Sequence, residues 1–209
     1  MNNGIDCRFY EDQRGSRPVI QTSLTSRHNG MKVLIPPAGI ERALDWLALE
    51  LANKFKKGNY PEGKEPVAVA IMEGAGYFYY SLTIRMGDRN ASFINANIYA
   101  RHQEGHLVVS PGLRDESLVD GRDVLLVDIL VTTGETMANA QRYLENKGAK
   151  NVTTVALLCR QDARTERRLT LNYAGILVPH QYKLHGYGLR EPNGVSRALS
   201  CIAAEETKE

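Results

Sequence analysis

Four short apolar runs constrain the fold of this chain more than any other feature of the sequence. Val67-Ala68-Val69-Ala70-Ile71-Met72 and Val124-Leu125-Leu126-Val127 lack the apolar/polar alternation of a half-exposed strand. They read as strands covered on both faces, and residues 151–158 and 173–178 repeat the pattern. Between them lie segments of helical period. Ile40, Ala43, Leu44, Leu47, Leu51 and Phe55 recur at helical spacing behind Pro36-Pro37 and ahead of Gly58. The pattern also predicts helices over residues 77–86 and 137–147, the latter stopped by Gly148. Strands alternating with helices call for a mainly parallel sheet flanked by helices, an α/β doubly wound architecture; the units are too few for a barrel.

The rest of the chain fits one domain with trimmings. Residues 1–30 are polar and broken by glycine and proline, so they read as an N-terminal arm with at most one short strand over 19–24. Residues 93–99 suggest a further strand. Residues 101–112 read as a long loop or loose hairpin, and 205–209 as a charged tail that frays. A hydrophobic content of 43% is enough for a core without staples. Cys7, Cys159 and Cys201 are too few and too scattered for a disulfide framework, which points to reduced thiols and a cytoplasmic protein. The net charge of +2, with both signs interspersed, argues against nucleic acid and anionic membranes as partners. No apolar run approaches the roughly 18 residues of a membrane span.

In an open α/β sheet, ligands bind beyond the carboxyl ends of the strands. The richest such end is Asp128-Ile129-Leu130-Val131-Thr132-Thr133-Gly134-Glu135-Thr136, where an acid closes a strand and a Thr/Gly turn opens a helix. Such a turn can cup a phosphate with hydroxyls and with the first helical N–H groups, backed by the helix dipole. In isolation it would also serve as an ordinary N-capped turn. His102 and His106 lie four apart, but Glu104 sits one place late for the zinc motif HExxH, so solvated loop histidines are the better reading. Among Tyr77, Phe78, Tyr79 and Tyr80, core or subunit packing is favoured over base stacking.

Residues 125–137, LLVDILVTTGETM, resemble the phosphoribosyl pyrophosphate (PRPP) signature of the type I phosphoribosyltransferases, most closely the hypoxanthine-guanine branch. The flanks agree in order. Residues 31–43 resemble that branch's opening strand and helix, 71–77 (IMEGAGY) its pyrophosphate turn, and 157–160 (LLCR) the strand end that carries its base-contacting lysine. Tyr173-Ala174-Gly175, Val178-Pro179 and Gly186-Tyr187-Gly188-Leu189 resemble its closing purine-covering segment.

The resemblance implies a type I phosphoribosyltransferase fold over residues 31–204, with a small C-terminal hood mainly over 179–202. It implies an enzyme that transfers the phosphoribosyl group of PRPP to a purine-type base with Mg²⁺, and a homodimer or homotetramer. Asp128 would hold the ribose, with magnesium reached through ribose or water, and Thr132, Thr133, Gly134, Glu135 and Thr136 the 5′-phosphate. Glu73, Gly74, Ala75 and Arg197 would face pyrophosphate, Arg160 would contact a 6-oxopurine oxygen, and Tyr182 would stack on the base. Residues 98–111 would form a flap over the reacting centre.

Several positions depart from the branch. Ile129 follows Asp128 where a second acid is usual, Thr132 replaces an aspartate, Glu73 a lysine and Arg190 another aspartate. A hydroxyl at 132 cannot exchange a proton as a carboxylate does near neutral pH. The uracil and orotate branches nevertheless resemble this chain at Ile129 and Thr132 respectively. Two readings therefore stay open: a phosphoribosyltransferase, whether for a purine or an unusual heterocycle, and a protein that senses PRPP or a nucleotide in the same pocket without turnover.

Overall fold

The computed structural model describes residues 8–9, 27–28, 31–103, 106–160, 171–189 and 199–206. In chain order these form β1 (Arg8–Phe9), β2 (Arg27–His28), β3 (Met31–Ile35), α1 (Pro37–Lys54), β4 (Val67–Met72), α2 (Gly76–Gly87), β5 (Ile94–Gln103) and β6 (His106–Val109). A 3-10 turn (Glu116–Val119) precedes β7 (Asp123–Val131), α3 (Glu135–Asn146), β8 (Asn151–Arg160), β9 (Tyr173–Val178), β10 (Tyr182–His185) and β11 (Ile202–Glu206).

The four apolar runs lie side by side in a seven-stranded sheet of order β1-β9-β8-β7-β4-β5-β6. Every pair is parallel except β5 with β6. Alternate residues face opposite layers. Ala68, Ala70, Leu125, Val127 and Val155 join the core that contains α1 and α2, whereas Val67, Val69, Val124, Leu126 and Ala156 join the core that contains α3. Both faces are thus buried, which is why these runs show no alternation.

Helix α1 starts on Pro37, where a missing N–H costs nothing, and buries Ile40, Ala43, Leu44, Leu47, Ala48, Leu51 and Ala52. Each large side chain among them contributes about 1.5–3 kcal/mol by leaving water. Arg85 of α2 bridges Glu41 and Asp45 of α1 across the outer side of the helix pair.

A second sheet of order β10-β11-β3-β2 forms the hood, all its pairs antiparallel. It is wider than residues 179–202, because half of its strands come from the N-terminal side. Phe9 of the expected arm pairs with Ala174 of the main sheet, and Arg27 with Lys32 of the hood. The strand expected over 19–24 lies outside the described residues. The expected loop at 101–112 is in large part the β5–β6 hairpin, with Gln103 opposite His106. The first two residues of the tail expected over 205–209 belong to β11 instead: Glu205 and Glu206 pair with Lys183 and Tyr182, and the ladder holds them despite their charge; 207–209 lie outside the described residues. No helix among the described residues is long and apolar enough to cross a membrane.

Candidate active site

Strands β4 and β7 are direct neighbours, although β5 follows β4 in sequence and lies on its other side. The strand order therefore reverses between them, the place where open α/β sheets receive ligands. Two turns emerge there together.

After β7 the chain passes the exposed Thr132 and Thr133 to Gly134, which caps α3 at φ 83°, a left-handed conformation that favours glycine. The hydrogen bonding of α3 begins with the N–H of Ala138 donating to the carbonyl of Gly134, so the amides of Thr136 and Met137 precede the helical ladder. The N–H of Glu135 donates to Thr133 Oγ1 at 3.4 Å. Asp128, Thr132, Thr133, Gly134 and Thr136 share the lining of one small, open hollow of about 20 Å³. This is the geometry of an anion cradle at a helix N-terminus.

Asp128 is half-buried at the rim of that hollow, and Oδ1 accepts the N–H of Ile129 at 2.7 Å. Desolvation pushes its carboxyl up to about 7, against the opposing pull of the Ile129 and Leu130 N–H groups. Strand parity sends Ile129 to the opposite face, where it is 3% exposed in the α1–α2 core. The position where the resemblance led to an expectation of a second acid is here an apolar plug.

After β4 the second turn runs through a cis peptide between Met72 and Glu73. Glu73 is exposed, Gly74 half-buried and Ala75 fully buried, so Ala75 can offer a ligand its main chain but not its methyl. Gly74 and Gly188 pack against each other: a Cβ on Gly188 would stand 2.3 Å from the Gly74 carbonyl oxygen. Ile129 fills the third side of this contact, its Cγ2 3.3 Å from where a Gly74 Cβ would stand. The Tyr187 hydroxyl completes the latch at Ser81 Oγ of α2, 3.1 Å away.

The remaining expected residues fall into two groups. Arg160 ends β8 level with this edge, but its guanidinium donates to main-chain carbonyls of Pro179, His180 and Tyr182, where the sequence suggested a contact with the base. Tyr182 is 9% exposed and belongs to the core cluster, so its expected stacking face is largely covered by protein. Arg190 and Arg197 lie outside the described residues.

Sequence reasoning missed the Ile129 plug, the glycine-to-glycine contact and the Arg160 carbonyl set. The first was detectable from parity along β7, since neighbours of Asp128 must face the other way. The other two join segments more than a hundred and nearly twenty residues apart, with no local signature.

The phosphoribosyl transferase domain family matches residues 41–191. The bifunctional protein TilS/HprT of Listeria monocytogenes is 29% identical over 171 residues, or 78% of this chain; the match spans only 24% of that relative's length. The hypoxanthine-guanine phosphoribosyltransferase of Aquifex aeolicus is 29% identical over 78% of this chain and 88% of its own. Among solved structures, the hypoxanthine phosphoribosyltransferase of Trypanosoma cruzi in complex with IMP superposes with a TM-score of 0.76, at 20% identity, over 87% of this chain and 94% of its own. That likeness supports the fold. A family match across most of the sequence, over the same strands and turns, leaves a single conclusion: this chain belongs to the phosphoribosyl transferase domain family.

Proposed function

We propose that this protein transfers the 5-phosphoribosyl group of PRPP to a purine-type base, giving a nucleoside monophosphate and pyrophosphate. The observation that carries this reading is the juxtaposition of the β7–α3 cradle with the β4–α2 turn at the switch point of the sheet. One turn takes the 5′-phosphate through the hydroxyls and amides of residues 132–136, with Asp128 beside it on the ribose. The other presents main-chain groups of Glu73, Gly74 and Ala75 to pyrophosphate.

In the reaction a base nitrogen bonds to C1 of the sugar while the bond from C1 to pyrophosphate oxygen breaks. The electron pair leaves on pyrophosphate, and the nitrogen's proton passes to solvent. Holding two anionic ends of one substrate fixes the angle of attack, and positioning of this kind supplies a large part of such barriers. Magnesium enters as the counter-ion of the substrate, neutralising pyrophosphate. The donor set fits that use, since Mg²⁺ carried by phosphates needs only one or two protein carboxylates. Asp128 is the carboxylate at the hollow, and a nearby cation would favour its ionised form.

Thr132 and Ile129 favour a second reading, binding without turnover, because neither can exchange a proton at the reacting centre. The test is to incubate the protein with PRPP, Mg²⁺ and a panel of bases that includes hypoxanthine, guanine and adenine, and to follow pyrophosphate release. Release with a purine is expected. Tight PRPP binding without release for every base would replace the enzyme by a sensor.

A further inference from the structure

Arg160 is the last residue of β8, and the parallel register sets it opposite Val178, the last residue of β9. From there its guanidinium bonds to the next piece of chain. One terminal nitrogen donates to the carbonyl oxygens of Pro179, at 2.8 Å, and of His180, and the other donates to that of Tyr182 at 2.8 Å. At least three of the five N–H donors of one side chain thus converge on a four-residue turn. That turn is where the chain leaves the seven-stranded sheet and enters β10, the edge strand of the hood.

The arrangement depends on arginine. A planar guanidinium presents its donors as a rigid fork that can span separate carbonyls, whereas a lysine ammonium concentrates its donors at one point. Each trans peptide also points its N–H opposite to its C=O. Turning the oxygens of residues 179, 180 and 182 toward Arg160 therefore directs the N–H groups of His180, Gln181 and Lys183 away from it. The guanidinium thus ties the end of β8 to the main chain at the root of the hood.

We infer that Arg160 is a positioning residue that clamps the β9–β10 turn, setting how tightly the planar base is held without distinguishing an oxo from an amino group at the purine six-position. This rests on the transferase reading above, with the base taken at the carboxyl ends of β8 and β9, and refines it. Discrimination among bases then lies in groups other than the Arg160 side chain.

The test compares the full chain with its Arg160→Lys and Arg160→Gln variants. Initial rates at saturating PRPP are measured for hypoxanthine, guanine and adenine, together with PRPP affinity and amide hydrogen exchange over residues 180–183. The clamp predicts that KM rises by a common factor of about ten for every base the wild type accepts, the scale set by losing one or two hydrogen bonds. It also predicts kcat and PRPP affinity within twofold of wild type, and faster exchange over residues 180–183 while the β4–β7 ladder keeps its protection. A loss confined to 6-oxopurines would instead make Arg160 a direct reader of the base and overturn the inference. So would unchanged exchange at the turn. If the wild type releases no pyrophosphate with any base, the transferase reading fails on its own, and the exchange comparison still decides whether the clamp exists.

Discussion

Replacing Gly188 with alanine separates the cost of a close approach from the cost of backbone conformation. Gly188 has φ +95°, and its added Cβ would lie 2.3 Å from the Gly74 carbonyl oxygen and 3.4 Å from that carbonyl's carbon. A carbon and a carbonyl oxygen normally stay about 3.3–3.6 Å apart, so the β4–α2 turn must retreat by about 1 Å. A positive φ costs an alanine about 1–2 kcal/mol, and overpacking against main chain adds about 1–3 kcal/mol. Gly63 supplies the control, with φ +76° and nothing within 4 Å of its Cβ position. Gly63→Ala should therefore lose only the conformational part. An excess of about 2 kcal/mol lowers Tm by about 4–8 °C more in Gly188→Ala than in Gly63→Ala. Thermal unfolding of the two variants measures that difference, and titration with pyrophosphate measures the displaced turn, with weaker binding expected for Gly188→Ala alone. Equal losses of Tm, or undiminished pyrophosphate binding by Gly188→Ala, would show that the hood does not rest on the turn.

Asp128 supplies a pH signature. Its native pKa of about 7 exceeds the ordinary aspartate value of 3.8, so between these pH values the folded state holds a proton that the unfolded state has released, and stability falls as pH rises through this window. Asp128→Asn should flatten that slope in denaturant titrations between pH 4 and 7; an unchanged slope would place the titration elsewhere. Thr136→Ala should weaken PRPP binding by about 1–3 kcal/mol, the usual loss for a polar contact, and calorimetry showing no loss would remove the cradle from the phosphate site. Ile129→Asp should not create a ribose contact. It places a carboxylate in the apolar contact with Gly74 and should cost about 3 kcal/mol or more in unfolding experiments.

The sheet was legible because its central strands are buried on both faces, and continuous apolar runs such as residues 67–72 admit few other uses in a chain of this composition. The cradle was legible because its parts are local: Thr132, Thr133, Gly134 and Thr136 fall within five consecutive positions. The hood was only partly legible. Its strands come from both sides of the chain, and nothing near Arg27 or Glu205 announces a partner so distant in sequence. Arg160 shows the same limit in chemical form, since its position at the sheet edge could be read from the sequence, whereas its hydrogen-bond partners are main-chain atoms that carry no sequence signal. Ile129 lies between these cases, because its direction follows from Asp128 by parity, but the glycines it meets do not.

The hood also imposes an order of events during synthesis. Ala203 of β11 pairs with Val33 of β3, about 170 positions earlier, and β11 links β3 to β10. Translation at about 5–20 residues per second leaves β3 without this neighbour for roughly ten to thirty seconds. The β4–α2 and β7–α3 turns have been synthesised well before β11 emerges. A nascent chain can therefore assemble those turns while the hood is still open, and until β11 arrives the exposed edge of β3 is available to any other unpaired strand.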